Sequence, residues 1–365
     1  MSADELSEAD LEAMVREIDP EWSLQSADRA PQGTDLVYFV TVDTPAGERE
    51  CVLKACSFVS PEAFRPEPIV LEMLDRETSI PVPAVYGRVN CHDTLPAPFF
   101  CMERRPGEVR EGDSRTLPPA VVERIARTGG RYLGELHAYD DFERFGWIEL
   151  RDCPSVDDPP TADALVVAEA GHETWRGALE AQIESELSGL HERFADLEEP
   201  LRKFLHSRLD AVEEPSSPVF GNTDYRLGNL LIDVDTGETH AVIDWGNCHT
   251  TEPVYNLVAL EENLCGRGPL EDPLRRRVRR AIDQGYAETG STPGIRQTLF
   301  DGGELTRRGE LYYGITRLAP LVWFSLWYWL PRRWGSRRRY SQRLRLPRKP
   351  RRYRLKTPRN GSISG

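Results

Sequence analysis

A polar loop, a short predicted hairpin and a further aspartate follow one another in residues 221–245 of this chain. Asp224 and Asn229 stand five residues apart, and Asp244 follows Asn229 by fifteen residues. Two short apolar runs, 230–234 and 239–243, flank a segment rich in turn-forming residues, which is typical of a β-hairpin. Because a hairpin returns the chain to its starting point, the three polar side chains are expected to lie close together.

The register of this hairpin decides how close the polar residues come. A turn centred between residues 236 and 237 sets Leu230 opposite Ile243 by antiparallel pairing. Asn229 and Asp244 then face each other just outside the ladder, roughly 5 Å apart at Cα. Two oxygen ligands at that separation suit Mg²⁺, which takes a few protein oxygens together with phosphate and water. The alternative is a polar turn beside an unrelated acid, and the hairpin favours the metal site.

The loop and hairpin together resemble the catalytic segment of the aminoglycoside phosphotransferase and choline kinase family, small-molecule relatives of protein kinases. That segment usually reads H-G-D-x-x-x-x-N, then a hairpin, then I-D-W, and residues 242–245 (VIDW) match its last part. The resemblance implies that Asp224 is the catalytic carboxylate and that Asn229 and Asp244 hold a magnesium ion.

Three positions depart from the family pattern. Asn222 and Thr223 stand where His and Gly are usual. Asn256 replaces the second Asp of a downstream segment that usually reads G-D-P-x-x-D-L. The replaced His braces the loop in the family rather than performing the transfer. Asn222 and Asn256 therefore leave open a weakened or specialised enzyme. Together with the single glycine of residues 30–35, they also leave open a nucleotide-binding pseudokinase with a regulatory role.

A nucleotide-binding half is predicted upstream of this loop. Residues 36–42 and 50–55 are β-rich runs joined by a turn signal. In the second run the odd-numbered residues share one face, while Val52 and Lys54 share the other. Lysine is rare in this chain, with 4 residues against 42 Arg, so a lysine inside an apolar strand stands out. The kinase lysine on such a strand binds the α- and β-phosphates of ATP; a charge that protects an edge strand is the alternative.

The segments after this strand resemble further parts of the family. Residues 67–74 have the apolar spacing of a helix, and Glu67 aligns best with the acid that pairs with the lysine, with Glu72 as the second choice. For either glutamate, a solvated surface position is the alternative. Residues 98–107 resemble the strand and hinge that hold adenine through backbone groups. The residues that the resemblance assigns to nucleotide binding are Lys54, Glu67, Gly33, Met102, Glu103 and Arg105.

These assignments predict an α+β, two-lobed, protein-kinase-like fold with a small antiparallel-sheet N-lobe and a mostly helical C-lobe. We expect a nucleotide-binding N-lobe over residues 1–101 and a hinge over 102–107. A catalytic and substrate-binding C-lobe is expected over 108–330, followed by a basic, disordered tail over 331–365.

Charge is divided sharply along the chain. The formal net charge is −14, and residues 331–365 contain 14 Lys and Arg with no Asp or Glu, so residues 1–330 carry −28. Self-repulsion of that size is screened at molar salt, where the Debye length is about 3 Å. We interpret the acidity as that of a salt-loving cytoplasmic protein; steering of cationic substrates is the alternative. The tail is either a basic arm for nucleic acid or anionic lipid, or an out-of-frame read-through.

Cysteine usage and hydropathy indicate the cellular environment of the chain. Seven scattered cysteines without a C-x-x-C pair argue against a zinc site or a disulfide framework, and no secretory signal is evident, so a reducing cytoplasm is expected. The apolar stretch 318–330 is shorter than the roughly 20 residues of a membrane span, so no transmembrane segment is expected.

His137 is expected to be a structural core residue. Glu261 and Glu262 either line a substrate cleft or lie on a solvated helix face.

The predicted reaction is transfer of the γ-phosphoryl group of ATP, with Mg²⁺, to a hydroxyl group of a small molecule. A kinase acting on proteins is disfavoured because Asp244 is followed by Trp-Gly rather than Phe-Gly, and no A-P-E-like segment follows. A nucleotide-binding pseudokinase is the main alternative. A nucleic-acid binder would depend on the basic tail alone.

Overall fold

The computed structural model describes residues 5–31, 35–110, 114–151, 164–214, 216–322 and 324. The chain divides into a compact unit, Met1–Val322, and a second unit, Trp323–Gly365. Only residue 324 of the second unit is described, so the predictions for 331–365 lie outside the described residues. Gly33, in the first unit, also lies outside them.

The described residues form eleven α-helices and fourteen β-strands. The helices are α1 (Glu8–Ile18), α2 (Pro61–Phe64), α3 (Pro66–Glu77), α4 (Pro119–Leu136), α5 (Trp175–Ser188), α6 (Glu198–His206), α7 (Pro253–Cys265), α8 (Pro273–Ala287), α9 (Ile295–Leu299), α10 (Arg307–Thr316) and α11 (Ala319–Val322). The strands are β1 (Ser23–Arg29), β2 (Leu36–Thr44), β3 (Gly47–Ala55), β4 (Val85–Val89), β5 (Phe99–Glu103), β6 (Glu108–Val109), β7 (Ile148–Leu150), β8 (Leu165–Val167), β9 (Val219–Asn222), β10 (Leu230–Ile232), β11 (Thr239–Val242), β12 (Cys248–Thr251), β13 (Phe300–Asp301) and β14 (Glu304–Leu305).

The N-terminal sheet has five antiparallel strands in the order β1-β2-β3-β5-β4. Alternation along β3 separates two cores, as the sequence pattern predicts. Cys51, Leu53 and Ala55 belong to a core shared with α1, whereas Val52 belongs to the larger core that includes α3. The sheet therefore buries both faces of β3, and Lys54 shares the face that Val52 presents to α3.

The helix that packs against this face begins where the sequence permits. Pro66 is its first residue. Proline suits that position because its fixed φ is helical, and because an N–H there would have no acceptor within the helix. Glu67 follows in the first turn. The helix ends before Thr78, whose hydroxyl donates to the Leu74 carbonyl at 2.7 Å. The first turn of α3 thus presents a carboxylate to the sheet.

The larger part of the unit is mostly helical and is built around α4, α7 and α8. Glycines let α4 and α8 approach closely, because a Cβ added at Gly130 would clash with the Ile282 carbonyl and one at Gly285 with the Arg127 carbonyl. Short antiparallel pairs, β9 with β12 and β10 with β11 and β6, lie beside these helices and carry the polar loop. Across the described ranges, no helix has both the length and the apolar character that crossing a membrane requires.

Candidate functional site

Lys54 is the point at which three distant segments of the chain meet. Its strand is central in the sheet, so the alternative of a charge protecting an edge strand is wrong. Nζ of Lys54 lies 2.7 Å from Oε2 of Glu67 on α3 and 2.9 Å from Oδ1 of Asp244 after β11. Lys54 is 7% exposed and Glu67 is 1% exposed. The structure therefore brings together one buried ammonium group and two carboxylates.

Electrostatics keep the Lys54–Asp244 pair charged. Burial by itself would lower the pKa of the Lys54 ammonium, but Glu67 and Asp244 outweigh burial and raise that pKa above its ordinary value. The charge of Lys54 holds the pKa of the Asp244 carboxyl below its usual range. Burial raises the pKa of Glu67, and Lys54 opposes that rise. The Asp244 side chain remains 43% exposed, so a ligand can reach it.

Glu72, the second choice for the acid that pairs with Lys54, has a different partner. Both of its carboxylate oxygens lie 3.0 Å from Nη1 of Arg88 on β4. Burial raises the pKa of Glu72, and Arg88 opposes the rise. Of the two glutamates on α3, the structure therefore places Glu67 against the lysine.

Asp224 follows β9 and is held on both sides of its carboxylate. Nδ2 of Asn229 donates to Oδ2 at 2.9 Å and to the Asp224 carbonyl at 3.0 Å. Nε of Arg226 donates to Oδ1 at 3.2 Å, and the N–H of Asp224 donates to Oδ1 of Asn222 at 2.8 Å. Burial raises the pKa of the Asp224 carboxyl, Arg226 lowers it, and the nearby charge of Asp244 adds to the rise. The loop thus presents a fixed carboxylate with increased basicity.

The hairpin that separates Asn229 from Asp244 forms, but its predicted register is wrong by one residue. Leu230 pairs with Val242 rather than with Ile243. The N–H of Ile243 instead donates to the Asn229 carbonyl at 2.9 Å. Asn229 therefore pairs with the residue before Asp244, and both polar residues still lie at the same end of the hairpin.

The turn explains the shifted register. The Asp233 carboxylate accepts hydrogen bonds from the N–H groups of residues 235 and 236 at 3.0 and 2.8 Å, which closes the turn earlier than predicted. Gly237 then takes a φ of 77°, a conformation that favours glycine. The ladder also shifts after Leu231, which leaves His240 as a bulge residue.

Asp244 has an unusual backbone. Its φ is 64°, and among the described residues it is the one non-glycine residue with a positive φ. Aspartate tolerates this left-handed conformation better than most residues, but the conformation is still strained. Such strain concentrates at functional sites, and here it occurs at the residue that contacts Lys54.

The predicted hinge residues lie at the end of β5. Met102 is 8% exposed, and the N–H of Glu103 donates to the Ala84 carbonyl at 2.8 Å. Nη1 of Arg105 lies 3.3 Å from both carboxylate oxygens of Glu103, and its Nη2 donates to the His240 carbonyl at 3.2 Å. The Arg105 side chain therefore connects this segment to the β10–β11 hairpin.

Both positions expected for Glu261 and Glu262, a substrate cleft and a solvated helix face, are wrong. They are 0% and 1% exposed, so they line neither a cleft nor a solvated face. Arg275 contacts both carboxylates, Arg279 binds Glu261 at 2.7 Å, and Arg317 binds Glu262 at 2.9 Å. The expectation fails because arginines that are distant in sequence neutralise these acids inside the core.

His137 is buried at 8% exposure, as expected for a structural histidine. Its Nε2 lies 3.2 Å from Oδ1 of Asn256, and its Nδ1 lies 2.9 Å from the Tyr286 hydroxyl. Burial lowers the pKa of His137 to about 4, so the ring is uncharged at neutral pH. Nδ2 of Asn256 in turn donates to the carbonyl of Asn222 at 2.8 Å.

Sequence reasoning missed two polar residues of this site. Arg226 contacts the Asp224 carboxylate, and its signal was available as a cation two residues after the aspartate. Asn263 on α7 donates from Nδ2 to the Thr223 carbonyl at 2.8 Å. Nothing in the sequence pointed to Asn263, because its partner is a backbone atom 40 residues away.

Solved structures with the same fold have low sequence identity to this chain. A protein from Ralstonia eutropha JMP134 assigned as an aminoglycoside phosphotransferase gives a TM-score of 0.56 at 16% identity, covering 86% of each chain. A thermostable mutant of aminoglycoside phosphotransferase APH(4)-Ia, in complex with ADP and hygromycin B, gives 0.54 at 15% identity, covering 87% of this chain and 91% of that chain. A protein from Haemophilus somnus 129PT assigned as a fructosamine-3-kinase gives 0.53 at 14% identity, covering 88% and 90%.

These similarities confirm the predicted α+β, two-lobed, kinase-like fold. No curated protein matches the chain in sequence. The model of the phosphotransferase enzyme family, however, matches residues 28–293, which is more than half of the chain. The matched range contains the Lys54 strand, the Asp224 loop and the hairpin that ends at Asp244. The chain therefore belongs to the phosphotransferase enzyme family.

Proposed function

We propose that this protein transfers the γ-phosphoryl group of ATP to a hydroxyl group of a small molecule. The observation that carries the proposal is the convergence of Lys54 and Asp244 beside the loop that holds Asp224. Kinase-type phosphoryl transfer requires a lysine for phosphate, an aspartate for metal and an aspartate for the acceptor hydroxyl. The ADP bound in the APH(4)-Ia structure supports a nucleotide as the phosphoryl donor.

The donor atoms at the hairpin end fit Mg²⁺. Asp244 offers an ionised and partly exposed carboxylate, and Asn229 uses Nδ2 in both of its side-chain hydrogen bonds, which leaves Oδ1 as an oxygen donor. Within the described part of the chain, no group of three or more His, Cys, Asp or Glu side chains could hold a metal. Mg²⁺ does not need such a group, because phosphate and water complete its octahedron. Bound there, the ion would neutralise phosphate charge.

Lys54 is proposed to bind the α- and β-phosphates. For this its ammonium has to exchange Asp244 for phosphate oxygens, while Glu67 keeps the ammonium in place. The exchange also frees the Asp244 carboxylate to act as a ligand. The ion pair seen in the structure is thus the resting arrangement of two groups that act separately in the reaction.

Asp224 is proposed to orient the acceptor hydroxyl and to accept its proton. Burial raises its pKa, which makes the carboxylate a better base, and Asn229 and Arg226 fix its direction. Arg226 also places a positive charge next to the reacting hydroxyl, where it offsets negative charge on the transferred group. Catalysis would therefore come from positioning and electrostatics rather than from covalent chemistry.

Adenine is proposed to lie against the backbone of Met102, Glu103 and Arg105, with Gly33 in the loop that covers the phosphates. The support for the first three is their position where β5 leaves the sheet. The Arg105 side chain, bonded to Glu103 and to the His240 carbonyl, would keep this segment close to the hairpin. The assignment of Gly33 depends on the sequence resemblance alone.

The proposal is tested by substituting Asp224, the proposed general base. Asp224→Asn should lower turnover by at least about 10²-fold while leaving the affinity for Mg-nucleotide nearly unchanged. Asp244→Asn should instead weaken metal-dependent nucleotide binding. Asp235→Asn makes the same chemical change at an exposed position in the hairpin turn and serves as the control. Turnover is followed as coupled ADP release in molar KCl across a panel of alcohols, and unchanged turnover in Asp224→Asn would remove the mechanism.

A nucleotide-binding pseudokinase is the second candidate. Asn222, Thr223 and Asn256 favour it, because they stand at positions where the family pattern has other residues. Both candidates bind nucleotide, so binding does not separate them. Stoichiometric release of ADP with an acceptor separates them, since a pseudokinase releases none.

A further inference from the structure

Two asparagines of α7 hold the main chain immediately before Asp224. Nδ2 of Asn256 lies 2.8 Å from the carbonyl oxygen of Asn222, and Nδ2 of Asn263 lies 2.8 Å from that of Thr223. The two asparagines are seven residues apart, about two helical turns, so they share one face of α7. One helix therefore binds two consecutive carbonyl groups of the loop.

We propose that Asn256 and Asn263 are positioning residues that form an amide clamp on the catalytic loop. The clamp sets the main chain of Asn222 and Thr223, and through it the direction of the Asp224 carboxylate. The inference rests on the proposed function, because it assigns the clamp to the proposed base. The link to the base is direct, since Oδ1 of Asn222 accepts the N–H of Asp224 at 2.8 Å.

The hydrogen bonds of the clamp can run in only one direction. A carbonyl oxygen only accepts, so Asn256 presents its NH₂ group to Asn222 and its Oδ1 to His137. Nε2 of His137, 3.2 Å from that oxygen, must then donate, and Nδ1 accepts from the Tyr286 hydroxyl at 2.9 Å. The lowered pKa of His137 agrees with this neutral ring. His137 therefore fixes which way the Asn256 amide points.

A carboxylate at position 256 could not perform this role. An ionised carboxylate accepts from His137 but has no hydrogen to donate to Asn222, and Asn256 is 0% exposed, so no water can replace the lost bond. A protonated carboxyl could donate again. His137 and Tyr286 are the titratable groups that contact the site, and Glu252, the N-cap residue of α7, acts on Tyr286.

The test replaces each amide by a carboxylate of the same shape. Asn256→Asp and Asn263→Asp should each lower kcat for ADP release by about tenfold and leave the KM for nucleotide within about twofold. In the double variant, kcat should fall by less than the product of the two single decreases, because the pair acts as a unit. Asn90→Asp, on the loop after β4, controls for the chemical change. Lowering the pH should shrink the deficit of Asn256→Asp but not affect the control.

Hydrogen exchange of the peptide 221–229 gives a readout that needs no acceptor. Exchange should be faster in both clamp variants than in the wild type or Asn90→Asp. If the wild type releases no ADP with any acceptor, the proposed function fails while exchange still tests the clamp. Unchanged exchange, or faster exchange with unchanged kcat, overturns the proposal. If Asn256→Asp does not fold, the half-buried Asn263→Asp is judged by the same criteria.

Discussion

Glu67 is the residue through which the Lys54 arrangement can be tested most directly. Glu67→Gln keeps the shape of the side chain and removes one of the two negative charges that face the lysine. Nζ of Lys54 lies 2.7 Å from Glu67 and 2.9 Å from Asp244, so the variant leaves the ammonium with one carboxylate. Lys54 should then turn toward Asp244, away from the position proposed for binding phosphate.

Two magnitudes follow from this geometry. Removing one partner of a buried ion pair costs about 3–5 kcal/mol, and because Asp244 still faces Lys54 we expect the lower end, about 3 kcal/mol. In a unit of 322 residues that loss lowers the melting temperature by roughly 5 °C. Nucleotide binding should weaken about tenfold to a hundredfold, the equivalent of one hydrogen bond to a charged group.

Glu72→Gln is the matched control, because it makes the same change on the same helix. Glu72 pairs with Arg88 and does not reach Lys54, so its variant should bind nucleotide as the wild type does. Thermal denaturation measures the loss of stability, and titration with a fluorescent nucleotide in the presence of Mg²⁺ measures the loss of nucleotide affinity. Equal weakening of nucleotide binding in the two variants would refute the assignment of Glu67.

The remaining predictions concern pH, salt and the tail. Because Lys54 lowers the pKa of Asp244, the pair stabilises the fold above the unfolded aspartate pKa of about 4, and this contribution disappears as the pH falls through the lowered folded value. Asp244→Asn should therefore flatten the acid side of the plot of melting temperature against pH; an unchanged acid side would contradict the pairing. The −28 charge of residues 1–330 predicts a melting temperature that rises steadily from dilute buffer to molar KCl, and equal values at both extremes would favour substrate steering. Truncation after Leu330 should leave nucleotide binding and turnover intact, because 331–365 has too little apolar content to join a core; a folded but inactive product would show that the tail is needed.

The parts of the fold that follow from local periodicity were predictable. Alternation on β3 correctly separates Leu53 from Val52, because side chains of a strand point to opposite faces whatever packs on them. The α3 helix begins at Pro66, where proline is favoured, close to the apolar pattern that predicted it. Periods of two and 3.6 residues are properties of the backbone, so short windows reveal them.

The parts that depend on partners distant in sequence were not predictable in the same way. The hairpin register is wrong by one residue because the side chain of Asp233 closes the turn, and turn residues alone do not show which of several closures forms. Glu261 and Glu262 are charged residues of a type usually found at the surface, and their burial depends on three arginines supplied by later segments.

The candidate site shows the same division. The family pattern led to Lys54, Glu67 and Asp244, which the structure brings together across 190 residues of sequence. Asn263 donates a hydrogen bond to a backbone carbonyl. Because every residue has such a carbonyl, the sequence does not show which one the asparagine binds. Side-chain pairs that a family pattern fixes could therefore be anticipated, whereas the residues that orient the loop required coordinates.

The buried cluster of Glu261, Glu262, Arg275, Arg279 and Arg317 has an evolutionary consequence. Losing Glu261 leaves Arg279 without its carboxylate in the core, at about 3–5 kcal/mol, a large share of the stability of an ordinary domain, whereas each glutamate keeps one arginine when another is lost. Replacing a whole pair by apolar residues of similar volume can be neutral. Substitution of Glu261 alone should therefore be purged, and in descendants of this chain Glu261 and Arg279 should covary, both kept or both lost.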